Sequence, residues 1–256
     1  MRWRGEIVAS DDVRLAARYS GGDGRSLLLI HGLGLTQRAW GRLAARLSKR
    51  FRIVTYDQRG HGASSGAVGY PPAAFVRDLE AVIAALGIQD AVLVGHSMGG
   101  HLAVEYAAGH PDCAGVVGIE GGFPVDLPAI DRAPPGGGRA SLVLALARAA
   151  GKLARRRAGL PFEDMERLVD EHDPWLRGLG AAYERISCPV LLLVGSEPDR
   201  VPQGAEIRAA VRRGVHALQE AHPEVTVEWL PGGHFVHLER PSEVAASIER
   251  FLRTVG

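Results

Sequence analysis

Cysteine is scarce in this chain: 256 residues contain two, Cys113 and Cys188, each isolated in the sequence. Neither a paired-cysteine metal pattern nor a disulfide framework can be drawn from them, and both read as small buried apolar residues. Lysine is equally rare, present only at Lys49 and Lys152, so arginine carries nearly all the positive charge. With the many alanines and glycines, that reflects compositional bias rather than function. The formal net charge is +1, which leaves no global field to attract nucleic acid. No apolar run is long enough to span a bilayer. The opening Met1-Arg2-Trp3-Arg4-Gly5-Glu6 has no signal-peptide pattern. A soluble, cytoplasmic protein with neither nucleic-acid nor membrane partner is the expectation. Internal repeats and low-complexity tails are also missing.

What is present is a core-forming composition, 46% hydrophobic, in a length that suits one large α/β domain or a domain with an insertion. Two β-rich segments open the chain, about 3–9 and 13–19, joined by Ser10-Asp11-Asp12. Ser26-Leu27-Leu28-Leu29-Ile30 is a continuous apolar run, as in a parallel strand buried on both faces. Helical spacing follows at about 37–48, a strand at 51–56, and a helix at about 73–86 with Phe75, Leu79, Val82, Ile83 and Leu86 on one face. Further strands are expected at 91–94, 116–119, 190–194 and 225–230, with helices at about 101–108, 203–220 and 241–253. This repeated strand–helix alternation means a mainly parallel sheet covered on both faces. The alternation breaks over 121–185, where Pro124, Pro128 and Pro134-Pro135-Gly136-Gly137-Gly138 precede two or three helical stretches. That stretch reads as an insertion between core segments 1–120 and 186–256.

Chemistry concentrates at Gly95-His96-Ser97-Met98-Gly99-Gly100, between a strand and a helix. A serine between glycines in that setting is the G-x-S-x-G nucleophile elbow: a sharp turn exposes Oγ, and the glycines remove side chains that would clash. The helix that follows aims its amides and positive dipole end at developing negative charge. A serine hydroxyl needs a base, and the base needs an orienting acid. Leu230-Pro231-Gly232-Gly233-His234-Phe235 places His234 on a glycine-flanked loop after the last strand, at the same sheet edge as Ser97. His237 sits deeper in an apolar run and competes less well. For the acid, Gly195-Ser196-Glu197-Pro198-Asp199-Arg200-Val201-Pro202 offers Asp199, in a turn after a strand, with Glu197 in the same loop and Glu120 at the end of an earlier strand as alternatives. His31-Gly32-Leu33-Gly34 follows the buried strand and suits an oxyanion hole, nominating the backbone amides of Leu33 and Met98. His31 is expected to brace loops, and Asp57-Gln58-Arg59-Gly60-His61-Gly62 to form a structural turn.

In this order the motifs resemble the α/β-hydrolase superfamily over nearly the whole chain apart from the insertion. The resemblance implies an α/β-hydrolase fold with a mostly parallel eight-stranded sheet flanked by helices, and a helical cap at 121–185. It implies Ser97 as nucleophile, His234 as base and Asp199 as acid, with neither cofactor nor metal. The position three residues after Gly195, where the family usually carries its acid, is Pro198 here, so one residue is inserted. Serine at 97 separates the chain from the dehalogenase and epoxide hydrolase branches, which use a carboxylate nucleophile. The expected activity is hydrolysis of a small-molecule carboxylic ester. Thioester, lactone or C–C hydrolysis on the same groups, or a ligand-binding receptor of this fold, are the alternatives. Within the cap, Leu142, Leu144 and Leu146 are expected to line the acyl pocket under a mobile lid. Arg155, Arg156 and Arg157 form either a solvated basic face or a dock for an anionic substrate handle.

Overall fold

Eight strands, β1 (Trp3–Ser10), β2 (Val13–Ser20), β3 (Ser26–Ile30), β4 (Arg52–Tyr56), β5 (Val92–His96), β6 (Gly115–Ile119), β7 (Val190–Gly195) and β8 (Thr226–Leu230), form a single sheet in the order β1-β2-β4-β3-β5-β6-β7-β8. The computed structural model describes residues 3–22, 24–125, 178–199 and 204–255, with positions 164, 167, 168, 171, 172 and 175. Strands β1 and β2 pair antiparallel at one edge, and β2 meets β4 antiparallel. The other pairings are parallel. This is the eight-stranded, mostly parallel α/β-hydrolase arrangement implied by the sequence.

Helices cover both faces, which is why the inner strands are apolar throughout rather than alternating. On one face Leu27, Leu29, Ile53, Val92 and Val94 pack with α1 (Gly41–Leu47) and α7 (Pro241–Phe251) through Leu43, Leu47, Val244 and Ile248. On the other, Leu28, Ile30, Val54 and Leu93 pack with α2 (Pro72–Ala85), α3 (Met98–Gly109) and α5 (Gly204–Ala221) through Phe75, Leu79, Leu102, Val211 and Val215. Alternate residues of β3 thus feed different cores, the period-two consequence of the pleat. Helix α2 begins on Pro72, whose missing amide would have been unsatisfied there anyway. Short helices α4 (Gly180–Tyr183) and α6 (Val236–Glu239) complete the described elements.

One expected helix divides. Positions 37–48 start as a 3₁₀ turn, Gln37–Trp40, before α1. The Gln37 amide donates to Asp57 Oδ1 at 2.7 Å, and its side-chain amide donates to Asp57 Oδ2 at 3.0 Å. Tying this turn to the β4 loop tightens it. The elbow helix starts three residues earlier than its apolar pattern suggested, at Met98 directly after the serine. Leu142, Leu144, Leu146, Pro134 to Gly138 and Arg155 to Arg157 lie outside the described residues. Among those described, no helix is long and apolar enough to cross a membrane.

Neutral histidines fill much of the interior around the site. Burial pushes His61 and His237 down to about 3, and His101 and His172 down to about 4. The same desolvation lowers His31 and carries His96 well below the ordinary range. A histidine held neutral in the fold but free to charge at about 6.5 when unfolded has no effect above that pH and destabilises progressively below it. At about pH 5.5 each such residue costs about 1.4 kcal/mol, so four cost about 5–6 kcal/mol against a typical domain stability of about 5–15 kcal/mol. Urea midpoints measured from pH 7.5 to 4.5 are therefore expected to hold steady to about pH 6.5 and then fall steeply, with acid unfolding complete near pH 5. A flat profile through that window would show that these rings can charge within the fold.

Candidate active site

Strand β5 ends at His96 and α3 begins at Met98, which leaves Ser97 alone in the turn with φ 52° and ψ −121°. A positive φ is costly for a residue with a Cβ, on the order of 1–3 kcal/mol, and persists only where neighbours enforce it. Here the Ser97 amide donates to Ile119 O at 2.9 Å, and the Gly100 amide donates back to Ser97 O at 2.8 Å. Ser97 stays partly exposed between the buried His96 and Met98. The amide of Met98 belongs to the first helical turn, where amides have no intrahelical acceptor.

The loop after β3 lies directly beside the serine. A Cβ on Gly32 would come within 3.0 Å of Ser97 Cβ and 2.7 Å of His96 Nδ1, so only glycine allows this approach. Neighbouring loop amides are engaged: Gly34 donates to His61 Nε2 at 3.3 Å, and Leu35 to Gly32 O at 3.1 Å. His31 Nε2 accepts from the Gln58 amide at 3.0 Å. The expected bracing turn is visible in its bonds. Asp57 Oδ2 accepts from the Ala63 amide at 2.9 Å, and Arg59 grips Asp78 through two bonds of 2.7 and 2.8 Å.

His234 reaches the same edge from the loop after β8, and its ring faces a different carboxylate from the one expected. His234 Nδ1 lies 3.4 Å from Glu120 Oε2. Glu120 ends β6 with φ 51° and is 4% exposed. Its Oε1 accepts from the Gly195 amide and, at 2.9 Å, from Arg208, whose second nitrogen donates to Oε2 at 3.0 Å. Burial alone would favour the neutral acid, but the bond to His234 and the charge of Arg208 outweigh it and hold the Glu120 carboxyl below the usual carboxylate range.

Asp199 meets His234 at its backbone instead. Its Oδ1 accepts from the backbone amide of His234 at 2.6 Å, and its Oδ2 lies 3.4 Å from Arg208. It positions the histidine loop and does not meet the imidazole through any bond the structure records. Glu197 is exposed, and its amide donates to Gly232 O at 2.9 Å.

Three further residues serve the site with little sequence signal. Arg208, on α5, joins Glu120 to Asp199 with 4% side-chain exposure. Its place on a buried stripe among Ile207 and Val211 was the available clue. His96 Nε2 donates to the His234 carbonyl at 2.8 Å. His237 packs between His96, ring centroids 4.1 Å apart, and Trp40 at 4.9 Å. His237 is 1% exposed. Among the described residues no group of histidines, cysteines and carboxylates is arranged to hold a metal ion.

With this geometry in hand, comparison with known proteins is decisive about class. Residues 27–247 match the model of the alpha/beta hydrolase family, and the chain belongs to that family. An uncharacterised Mycobacterium tuberculosis protein is 26% identical over 270 residues, covering 91% of this chain and 76% of the relative. The 2-(acetamidomethylene)succinate hydrolase of Mesorhizobium japonicum is 38% identical over 92 residues, 36% of this chain and 33% of that protein. The crystal structure of E-2-(acetamidomethylene)succinate hydrolase superposes with a TM-score of 0.77 at 24% identity, over 98% of this chain and 100% of the other. Hydrolases therefore surround the chain in both sequence and fold.

Two stability outcomes follow. Arg208→Ala strands two buried or half-buried carboxylates without their cation, and is expected to cost about 3–5 kcal/mol in urea unfolding. Ser97→Gly relieves the left-handed backbone and should raise stability by about 1 kcal/mol in the same measurement. A neutral Arg208→Ala would mean that water replaces the guanidinium at no cost. A destabilised Ser97→Gly would mean that side-chain contacts outweigh the backbone strain.

Proposed function

We propose that this protein is a serine hydrolase that cleaves a carboxylic ester through an acyl-enzyme. Ser97 is the nucleophile, His234 the base, Glu120 the orienting carboxylate, and the amides of Leu33 and Met98 the oxyanion donors. Two observations carry the reading: a partly exposed serine in a strained turn at a helix N-terminus, and a histidine at the same sheet edge whose Nδ1 lies 3.4 Å from a buried carboxylate held below its usual range.

The division of labour follows from charge. Glu120 accepts the Nδ1 proton of His234, which leaves Nε2 as the lone-pair nitrogen to take the serine proton. As Oγ attacks the substrate carbonyl, the imidazole becomes imidazolium next to Glu120, and the Leu33 and Met98 amides take the role of donors to the new alkoxide oxygen. His234 then protonates the departing alcohol. In the second half it activates water against the acyl-serine, releasing the acid and restoring the free hydroxyl. Asp199 acts as a positioning residue: it holds the His234 backbone and shares Arg208 with Glu120.

Steady-state turnover of short-chain p-nitrophenyl esters tests the assignment. Ser97→Ala is expected to lower kcat by about 10⁴-fold or more, and Glu120→Gln by about 10³–10⁴-fold, with the fold intact by circular dichroism. Asp199→Asn, which keeps a side chain of the same size, should cost well under that. Near-normal turnover in Ser97→Ala would sink the mechanism, and an Asp199→Asn defect larger than that of Glu120→Gln would return the acid's role to Asp199. Faster turnover of thioesters or lactones than of matched esters would keep the machinery and change the substrate class.

A further inference from the structure

The two cysteines, unremarkable and far apart in sequence, are brought together by the fold at the end of the sheet opposite Ser97. Strands β6 and β7 run parallel with Val116 opposite Val190, and the Val116 amide donates to Pro189 O at 3.0 Å. Extending that register places Ala114 beside Cys188 and Cys113 one residue further out. With strands about 4.8 Å apart and a rise of about 3.3 Å per residue, the two Cα atoms are about 6 Å apart, inside the range a disulfide spans. The two thiols lie close enough to shift each other's proton affinity.

The pair is asymmetric. Cys113 is buried, its Sγ lying 3.7 Å from Ala91 O and 3.6 Å from Gly115 O. Cys188 is partly exposed and lines a cavity of about 300 Å³ together with Tyr183, Ile186, Glu224 and Val225. A small oxidant therefore reaches Cys188 first.

We propose that Cys113 and Cys188 form a peroxide-reactive dithiol that closes to an intramolecular disulfide, with Cys188 the attacking sulfur and Cys113 the resolving one. Exposure sets this order, since Cys188 opens onto the cavity and Cys113 is buried. The interaction between the thiols acts in the same direction, lowering the Cys188 thiol despite burial and, with desolvation, pushing the Cys113 thiol up. The Cys188 thiolate attacks one oxygen of a hydroperoxide, the O–O bond breaks, and hydroxide or alkoxide leaves, giving a sulfenic acid. Cys113 then attacks that sulfur, its thiol proton leaves with the sulfenic hydroxyl as water, and the S–S bond forms. Two electrons pass from the thiol pair to the peroxide. The closed bond would tie the starts of β6 and β7, the strands that lead to Glu120 and Asp199.

The test uses the full-length protein, reduced, desalted and treated with stoichiometric hydrogen peroxide under native conditions. Intact mass is expected to fall by two hydrogens, both thiols should be lost together, and a non-reducing peptide map should show the Cys113–Cys188 link in the monomer. The thermal midpoint should rise by several degrees, and dithiothreitol should reverse every change. In Cys113→Ser the oxidation stops at a dimedone-trappable sulfenic acid on Cys188, and in Cys188→Ser the remaining thiol survives the treatment. Persistence of both thiols in the wild-type protein, an intermolecular link instead of an internal one, or oxidation of Cys113 at an undiminished rate in Cys188→Ser would overturn the proposal. The wild-type mass measurement decides the matter even if a variant folds poorly.

Discussion

The buried contact between Glu120 and Arg208 is the constraint on which the rest of the site depends. It joins the end of β6 to α5, and through it Asp199 and both ends of the His234 residue are fixed: Glu120 holds the ring and Asp199 the backbone amide. In formal charge, one guanidinium faces two carboxylates, leaving the set with one excess negative charge when the imidazole is neutral. Protonating His234 offsets that charge. The surroundings therefore favour the imidazolium that a serine attack creates, and burial strengthens the effect because little water is present to screen it. Isolated buried ion pairs add little to stability against an apolar alternative. What this network supplies is one orientation for one ring.

Strain is concentrated where that orientation is used. Ser97 and Glu120 end neighbouring strands, and both adopt positive φ despite having a Cβ. Each is over-determined by the sheet: the Ser97 amide bonds to Ile119 O at 2.9 Å, and the Glu120 amide bonds to Leu193 O at 2.9 Å. The parallel ladder thus carries its register one residue past each regular strand. A looser sheet could not hold either residue in that conformation.

Beside His234 stands a layer of rings, His96, His237 and Trp40, while His31 and His61 pack together at the loop after β3. All these imidazoles are kept neutral by burial. Neutral rings suit this place. They pack like aromatics, provide directed bonds such as that from His96 to the His234 carbonyl, and add no competing positive charge beside the base. The cost is sensitivity to acid, because every one of them gains a proton when the chain unfolds below about pH 6.5.

Much of this was legible in the linear chain because its signals are local. Four consecutive apolar residues at Leu27 to Ile30 announce a strand buried on both faces, and a serine between glycines at a strand–helix junction announces the elbow, since both depend only on neighbours in sequence. His234 was readable for the same reason, flanked by glycines after a strand. The choice among Asp199, Glu197 and Glu120 was not local. It depends on which strand end lies beside β8's loop and on an arginine nine positions beyond Asp199 that meets Glu120. The meeting of Cys113 with Cys188 was equally hidden, since it arises from the pairing of β6 with β7. Sequence by itself determined the elements and singled out Ser97 and His234, because short-range periodicity and turn chemistry encode them. Tertiary structure decided which carboxylate faces the imidazole and which thiols meet, because those are distances between strands, set by sheet order and register.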